Sequence, residues 1–97
     1  MILLPIKRHW FDMIASGEKK EEYRSITKRY LTMFKNAADK NGRFWCIIQN
    51  GYSKSSPRLY CYVEASVGYG RQEWGADPET QYFVLKIIDK RTKPSSL

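Results

Sequence analysis

Residues 16–24 have the sequence SGEKKEEYR, which places a glycine between a helical pattern and a run of charged residues. In the preceding segment, residues 8–15, apolar side chains recur at helical spacing and predict a short amphipathic helix. Gly17 stands where the end of a helix favours a residue with positive φ. The segment KKEEYR, residues 19–24, predicts a short charged strand. The chain should therefore reverse sharply at Gly17.

The charges of this strand allow two interpretations. Glu22 and Arg24 are two residues apart, so they share one face of a strand with Lys20 beside them, whereas Lys19 points to the other face unless a turn or bulge redirects it. An exposed Glu22–Arg24 pair would contribute at most ~1 kcal/mol. Alternatively, Lys19 and Arg24 grip a phosphate or carbonyl, while Glu22 orients them or accepts a proton. Spacing alone favours the exposed pair.

The other segments predict a second helix and further strands. Residues 25–38 form a second amphipathic pattern with Ser25 or Thr27 as N-cap. The first apolar run, broken by Pro5, predicts a strand at an edge or rim. Three later strands are predicted at residues 44–50, 59–67 and 82–89. This order predicts an α+β fold built on a small barrel or curled sheet.

Length and composition predict a single domain over residues 1–97, ending in a frayed basic tail at residues 91–97. Cys46 and Cys61 lie in hydrophobic runs without metal-ligand spacing, so we expect buried reduced thiols, no metal site and no cofactor. No apolar run has the length of a membrane span. The first ten residues lack the order of a signal peptide, and we expect a cytoplasmic protein.

The charge balance predicts a phosphate-bearing partner. Seventeen Lys and Arg against ten Asp and Glu give a net charge of +7 and a pI near 9.5. Positive charge can also serve solubility alone. The basic residues are interleaved with aromatic residues, which make up 14% of the chain. This pattern favours nucleic acid.

The segment GEKKEEYR resembles the signature of ASCH (ASC-1 homology) domains, Gly-x-Lys-x-x-Glu-x-Arg, at all four fixed places: Gly17, Lys19, Glu22 and Arg24. IKRHWFDMIASG before it and RQEWGADPETQYFVLKI near the end are similar to the corresponding parts of small ASCH proteins, many of them phage or prophage encoded. The resemblance implies a PUA-like β-barrel of about five or six strands flanked by two helices. It also implies an RNA-related cleft lined by the signature lysine, glutamate and arginine.

The resemblance implies two enzymatic activities as well. Some small ASCH proteins are amidohydrolases that deacetylate N4-acetylcytidine, and a ribonuclease activity is associated with the family. In the amidohydrolases a threonine nucleophile occupies the place of Glu22, and the catalytic lysine corresponds to Lys19. A carboxylate attacking in the place of that threonine would give an anhydride. Glu22 therefore argues against simply transferring the deacetylase activity.

Three functional hypotheses follow. The first is binding of RNA or a modified nucleotide through a basic cleft. Its candidate residues are Lys7, Arg8, Lys19, Lys20, Glu22, Arg24, Arg43, Tyr52, Lys54, Arg58, Arg71 and Trp74. The second is a metal-free hydrolase acting on RNA or N4-acetylcytidine-type nucleosides, with Lys19 and Glu22 as general acid and base and Arg24 stabilising negative charge. The third is binding of a host protein through exposed aromatic residues. The oligomeric state stays open.

Overall fold

The computed structural model describes residues 1–94, so residues 95–97 of the predicted basic tail lie outside the described part. The chain alternates short helices with strands before a β-rich second half. In order, the elements are β1 (Ile2–Ile6), α1 (Arg8–Ser16), β2 (Glu21–Ser25), α2 (Lys28–Ala37), β3 (Arg43–Asn50), β4 (Arg58–Tyr69), a 3₁₀ turn (Gln72–Trp74) and β5 (Gln81–Arg91).

The five strands form one curled mixed sheet, a half-barrel, in the order β1-β3-β4-β5-β2. β1 runs parallel to β3, and the other neighbours are antiparallel. The predicted α+β class, with a small curled sheet and two helices, is confirmed. β1 and β2 are the two edges of the sheet. The seam of the half-barrel is therefore the gap between these two short strands.

The sequence provides a cap at the C-terminus of α1 and at the N-terminus of α2. α1 ends at Ser16, and Gly17 follows with φ 88° and donates its N–H to the Ile14 carbonyl at 3.1 Å. The predicted reversal at Gly17 is confirmed. Of the two N-cap candidates for α2 it is Thr27 that serves, because its hydroxyl accepts a hydrogen bond from the backbone N–H of Tyr30 at 3.2 Å.

The core lies between the concave face of the sheet and the two helices. Alternating side chains of β3 and β4 enter it, joined by residues from both helices and β5. Its buried members are Leu4, Phe11, Ile14, Phe34, Phe44, Cys46, Ile48, Leu59, Cys61, Val63, Phe83 and Leu85. Both cysteines are free, and burial raises the pKa of the Cys61 thiol to about 12 and that of Cys46 further. These thiols pack as small apolar side chains.

β5 continues beyond the predicted residues 82–89 because its last residues pair with β4, and this end of the strand also contacts α1. The Lys90 ammonium donates to the carbonyls of Ile14 at 2.7 Å and Ala15 at 3.0 Å, which satisfies acceptors at the C-terminus of the helix. Arg91 is the last residue of the strand, and residues 92–94 after it are exposed. Within residues 1–94, neither helix has the length and apolar character needed to cross a membrane.

Candidate nucleotide site

A cavity of about 330 Å³ opens at the seam between β1 and β2. We call it the seam cavity. Its lining comes from both edge strands, both helices and the loop before β5, namely Pro5, Ile6, Lys7, Trp10, Glu22, Tyr23, Arg24, Ser25, Tyr30, Trp74, Gly75 and Tyr82. The site thus occupies the one region where the sheet does not close through backbone hydrogen bonds between described strands.

Lys19 turns inward because it precedes β2 and does not follow the alternation of that strand. Its backbone N–H donates to the Met13 carbonyl at 2.9 Å, which holds it against the last turn of α1. The side chain is only 1% exposed, and its Nζ lies 3.5 Å from Oε1 of Glu22. Nζ also donates to the backbone carbonyl of Trp74. The turn at Gly17 supplies the redirection that strand spacing alone could not.

The Lys19 ammonium also lies over two aromatic rings. Nζ is 4.7 Å from the centre of the Tyr23 ring and 5.3 Å from that of Trp10, within the range of cation–π attraction. Burial lowers the pKa of Lys19 below its ordinary value of 10.5, and the negative charge of Glu22 offsets part of this effect. The rings and Glu22 together hold a cation away from water.

Arg24 joins the strand β2 to β1 and α2. Its Nη2 donates to Oε2 of Glu22 and to the Pro5 carbonyl, both at 2.8 Å, and its Nη1 donates to the Tyr30 hydroxyl at 3.2 Å. The side chain is 13% exposed, and its buried Nε has no hydrogen-bond partner among the described residues. Lys19, Glu22 and Arg24 are therefore brought together, with two positive charges sharing one carboxylate.

Aromatic side chains that sequence reasoning did not single out form much of the wall. Tyr23 is fixed through its hydroxyl, which donates to Glu21 at 2.8 Å and accepts from the Arg71 backbone N–H at 2.9 Å. Gly75, at φ 100°, lies against the Trp10 ring, where an added Cβ would be 3.0 Å from Cζ2. This close approach places the neighbouring Trp74 carbonyl beside Lys19. Tyr23 lies within the motif and Trp10 in the helix before it, and this proximity is the only signal in the sequence that pointed to them.

The other predicted site residues near the seam differ in whether they line the seam cavity and whether their side chains already have a partner. Lys7 and Trp74 line the seam cavity. Arg71 is exposed, pairs with Glu73 at 3.4 Å and lies over the Trp74 ring at 4.8 Å. Lys20 is exposed and lines a different depression behind Gly17, so it does not join Glu22 and Arg24.

The remaining predicted residues lie away from the seam cavity. Arg58 donates to Gln49 at 2.6 Å, and Arg43 pairs with Glu64 at 3.0 Å, so both serve contacts within the sheet. Arg8 lies 3.6 Å from Asp12 on an exposed face of α1. Two further predicted residues, Tyr52 and Lys54, lie exposed in the loop after β3.

Metal ligands do not gather in the described part of the chain. Among residues 1–94, no three His, Cys, Asp or Glu side chains are grouped so that they could hold a metal ion. The groups that the seam cavity offers to a ligand include the carboxylate of Glu22, the guanidinium of Arg24, the ammonium of Lys7 and the aromatic walls.

No family model, curated protein or solved structure matches the chain. The functional assignment consequently depends on the geometry and charge of the seam cavity.

The burial of Lys19 predicts that the free energy of unfolding changes with pH in the alkaline range. At pH values between the lowered pKa of Lys19 in the folded protein and its ordinary value of 10.5, Lys19 holds its proton more fully in the unfolded chain than in the folded one. The free energy of unfolding should therefore rise with pH in this range. Tyr23, whose pKa burial raises to about 12, acts in the opposite direction above pH 10.0.

Denaturation of wild type and Lys19→Met from about pH 8 to about pH 10 separates the two groups, because the Tyr23 effect is common to both proteins. We expect the stability of wild type to rise relative to the variant across this range. A difference that stays constant with pH would show that the pKa of folded Lys19 is not lowered.

Proposed function

We propose that the seam cavity binds a base of single-stranded RNA or a modified nucleotide. The observation that carries the proposal is a hydrogen-bonded carboxylate and guanidinium, Glu22 and Arg24, set among aromatic side chains in a cavity of about 330 Å³. That volume lies at the lower end of ligand cavities, which span ~300–1,000 Å³. It suits one nucleoside rather than a duplex, whose bases are already paired and stacked.

The polar groups of the cavity match the edge of a base. A carboxylate accepts hydrogen bonds from an exocyclic amine, and a guanidinium donates to a ring carbonyl or nitrogen. Trp74 and Trp10 offer aromatic faces for stacking, which contributes ~1–3 kcal/mol per base. The excess positive charge of the Lys19–Glu22–Arg24 cluster and the net charge of +7 both favour a ligand that carries phosphate.

We also propose that the half-barrel is a PUA-like ASCH domain. Support comes from the distinct geometric role of each signature residue: Gly17 reverses the chain, Lys19 turns inward, and Glu22 joins Lys19 to Arg24. A solved structure of the chain that superimposes on PUA-like barrels through these residues would establish the assignment.

A metal-free hydrolase acting on RNA or on N4-acetylcytidine-type nucleosides is the second candidate. It is favoured by the lowered pKa of Lys19 and by the position of its Nζ 3.5 Å from Glu22, a pairing suited to proton transfer. The ammonium is enclosed by Trp10, Tyr23 and Trp74, so a substrate could reach it only after these groups move. Binding without turnover fits the closed geometry better.

Paired tryptophan variants test the binding function. We expect Trp74→Ala to weaken binding of a nucleoside or a short single-stranded RNA by about 5- to 100-fold, since it removes a stacking face. Trp45→Ala is the matched control, because Trp45 packs on Tyr62 and does not line the seam cavity. Calorimetric titration with the four nucleosides, N4-acetylcytidine and RNA at two salt concentrations provides the measurement. RNA affinity, unlike nucleoside affinity, should fall steeply with salt.

Two outcomes would overturn the binding proposal. One is the absence of binding to any of these ligands, and the other is equal loss of affinity in Trp74→Ala and Trp45→Ala. Chromatography of the recovered ligands addresses the hydrolase at the same time. If wild type produces cleaved RNA or free cytidine and Lys19→Met does not, the protein is a hydrolase and not only a binding protein.

A further inference from the structure

A second cavity adjoins the first along β1. It has a volume of about 510 Å³ and is lined by Pro5, Ile6, Lys7, Arg8, Asn50, Gly51 and Tyr52. We call it the loop cavity. Pro5, Ile6 and Lys7 line both cavities, so this short segment is a common wall. A ligand that occupied both cavities would have to cross this segment.

The loop cavity presents an aromatic ring on an anchored turn. Tyr52 is 89% exposed. The residue before it, Gly51, donates its backbone N–H to the Ile6 carbonyl at 3.1 Å, and its own carbonyl accepts a hydrogen bond from Gln49 at 2.8 Å. Gln49 is itself buried and held by Arg58 at 2.6 Å. The base of the loop is therefore fixed to β1, while the tyrosine ring is left to solvent.

The charge of the loop cavity is positive throughout. Its lining contains Lys7 and Arg8 and no carboxylate. The side chain of Lys7 is exposed and makes no hydrogen bond or ion pair with any residue of the described range 1–94. Arg8 has one partner, Asp12, at 3.6 Å, and both side chains are mostly exposed, so this pair is weak. A cation on the common wall between two aromatic cavities suits a phosphate that links two bases.

We propose that the loop cavity binds the nucleotide next to the base held in the seam cavity, with Tyr52 stacking on its base and Lys7 contacting the connecting phosphate. This inference rests on the proposed function, and it specifies the ligand further. The preferred ligand is an unpaired stretch of at least two nucleotides, rather than a free nucleoside or a mononucleotide. Arg58 contributes indirectly, since it positions Gln49 and through it the loop.

The test is the ratio of dinucleotide to nucleoside affinity in each variant. Calorimetry or tryptophan fluorescence is carried out with the four nucleosides and with ApA, CpC, GpG and UpU at low salt. For wild type we expect the best dinucleotide to bind about 5- to 100-fold more tightly than its nucleoside. Tyr52→Ala should lower the ratio to the part that the contact of Lys7 with the phosphate still supplies, whereas Tyr52→Phe, which keeps the stacking ring, should retain it.

A matched pair of lysine variants, Lys7→Ala and Lys35→Ala, tests the contribution of Lys7 to dinucleotide binding. Lys7→Ala should weaken dinucleotide binding and reduce its dependence on salt, because the phosphate loses its cation. Lys35→Ala removes the same charge from the exposed end of α2, remote from both cavities, and should leave binding unchanged.

The outcomes separate this inference from the proposed function. If the dinucleotides, the four nucleosides, N4-acetylcytidine and RNA all fail to bind, both proposals fail. If a nucleoside binds and the wild-type ratio lies within about twofold of one, the loop cavity holds no second nucleotide and only this inference fails. It also fails if the ratio is high but unchanged in Tyr52→Ala, or if Lys7→Ala behaves like Lys35→Ala.

Discussion

Glu22→Ala is expected to lower the free energy of unfolding by about 3–5 kcal/mol. Glu22 is buried and faces Lys19 at 3.5 Å and Arg24 at 2.8 Å. Without its carboxylate the two cations remain buried and repel each other. Because a domain is stable by only about 5–15 kcal/mol, this change removes a large part of the total. Urea denaturation followed by tryptophan fluorescence measures the loss.

A surface glutamate provides the control for this variant. Glu64 on β4 pairs with Arg43 at 3.0 Å, but both side chains are substantially exposed. Glu64→Ala should therefore cost much less than Glu22→Ala. Combining Glu22→Ala with Lys19→Met should recover part of the stability, since one of the unpaired cations is gone. Equal losses in Glu22→Ala and Glu64→Ala would show that the cluster is solvated rather than buried.

Local chemistry made the elements and their order predictable from sequence. The helix ended by Gly17, the edge strand that contains Pro5 and the alternating strand of Leu59, Cys61 and Val63 all form as expected. Each depends on signals within a few residues, such as positive φ, a missing N–H or a two-residue period. Such signals do not require knowledge of the tertiary contacts.

The cavity itself depends on contacts between distant parts of the chain. Lys19 is buried by the Trp74 carbonyl, 55 residues away, and Arg24 reaches the Pro5 carbonyl across the seam. No periodicity in the sequence specifies that β1 and β2 are the two edges of one sheet. For the same reason sequence reasoning grouped Lys20 with Glu22 and Arg24, although Lys20 lies on the outside. The motif identified the charged residues, and only the fold supplies their aromatic surroundings.

Arg24→Met is expected to cost about 3–5 kcal/mol of stability, and it should loosen the seam as well. The guanidinium is the side-chain link from β2 to the Pro5 carbonyl of β1 and the Tyr30 hydroxyl of α2, and it neutralises Glu22. Hydrogen exchange should therefore speed up in β1 more than in the central strand β4, whose two backbone partners remain. Nucleoside affinity should fall together with stability, since Arg24 also lines the cavity.

Arg24→Lys tests whether the positive charge of Arg24 is sufficient or whether the planar set of N–H donors of its guanidinium is also needed. A lysine keeps the positive charge near Glu22, but its single ammonium cannot reproduce the planar arrangement that reaches Glu22, Pro5 and Tyr30 together. We expect it to retain part of the stability, with a loss of about 1–3 kcal/mol, while β1 still exchanges faster than in wild type. If Arg24→Lys matched wild type in stability, β1 exchange and nucleoside affinity, charge alone would be sufficient. The seam would then be held by the aromatic packing around Lys19, and the motif arginine would be a general cation rather than a geometric link between the two edges of the sheet.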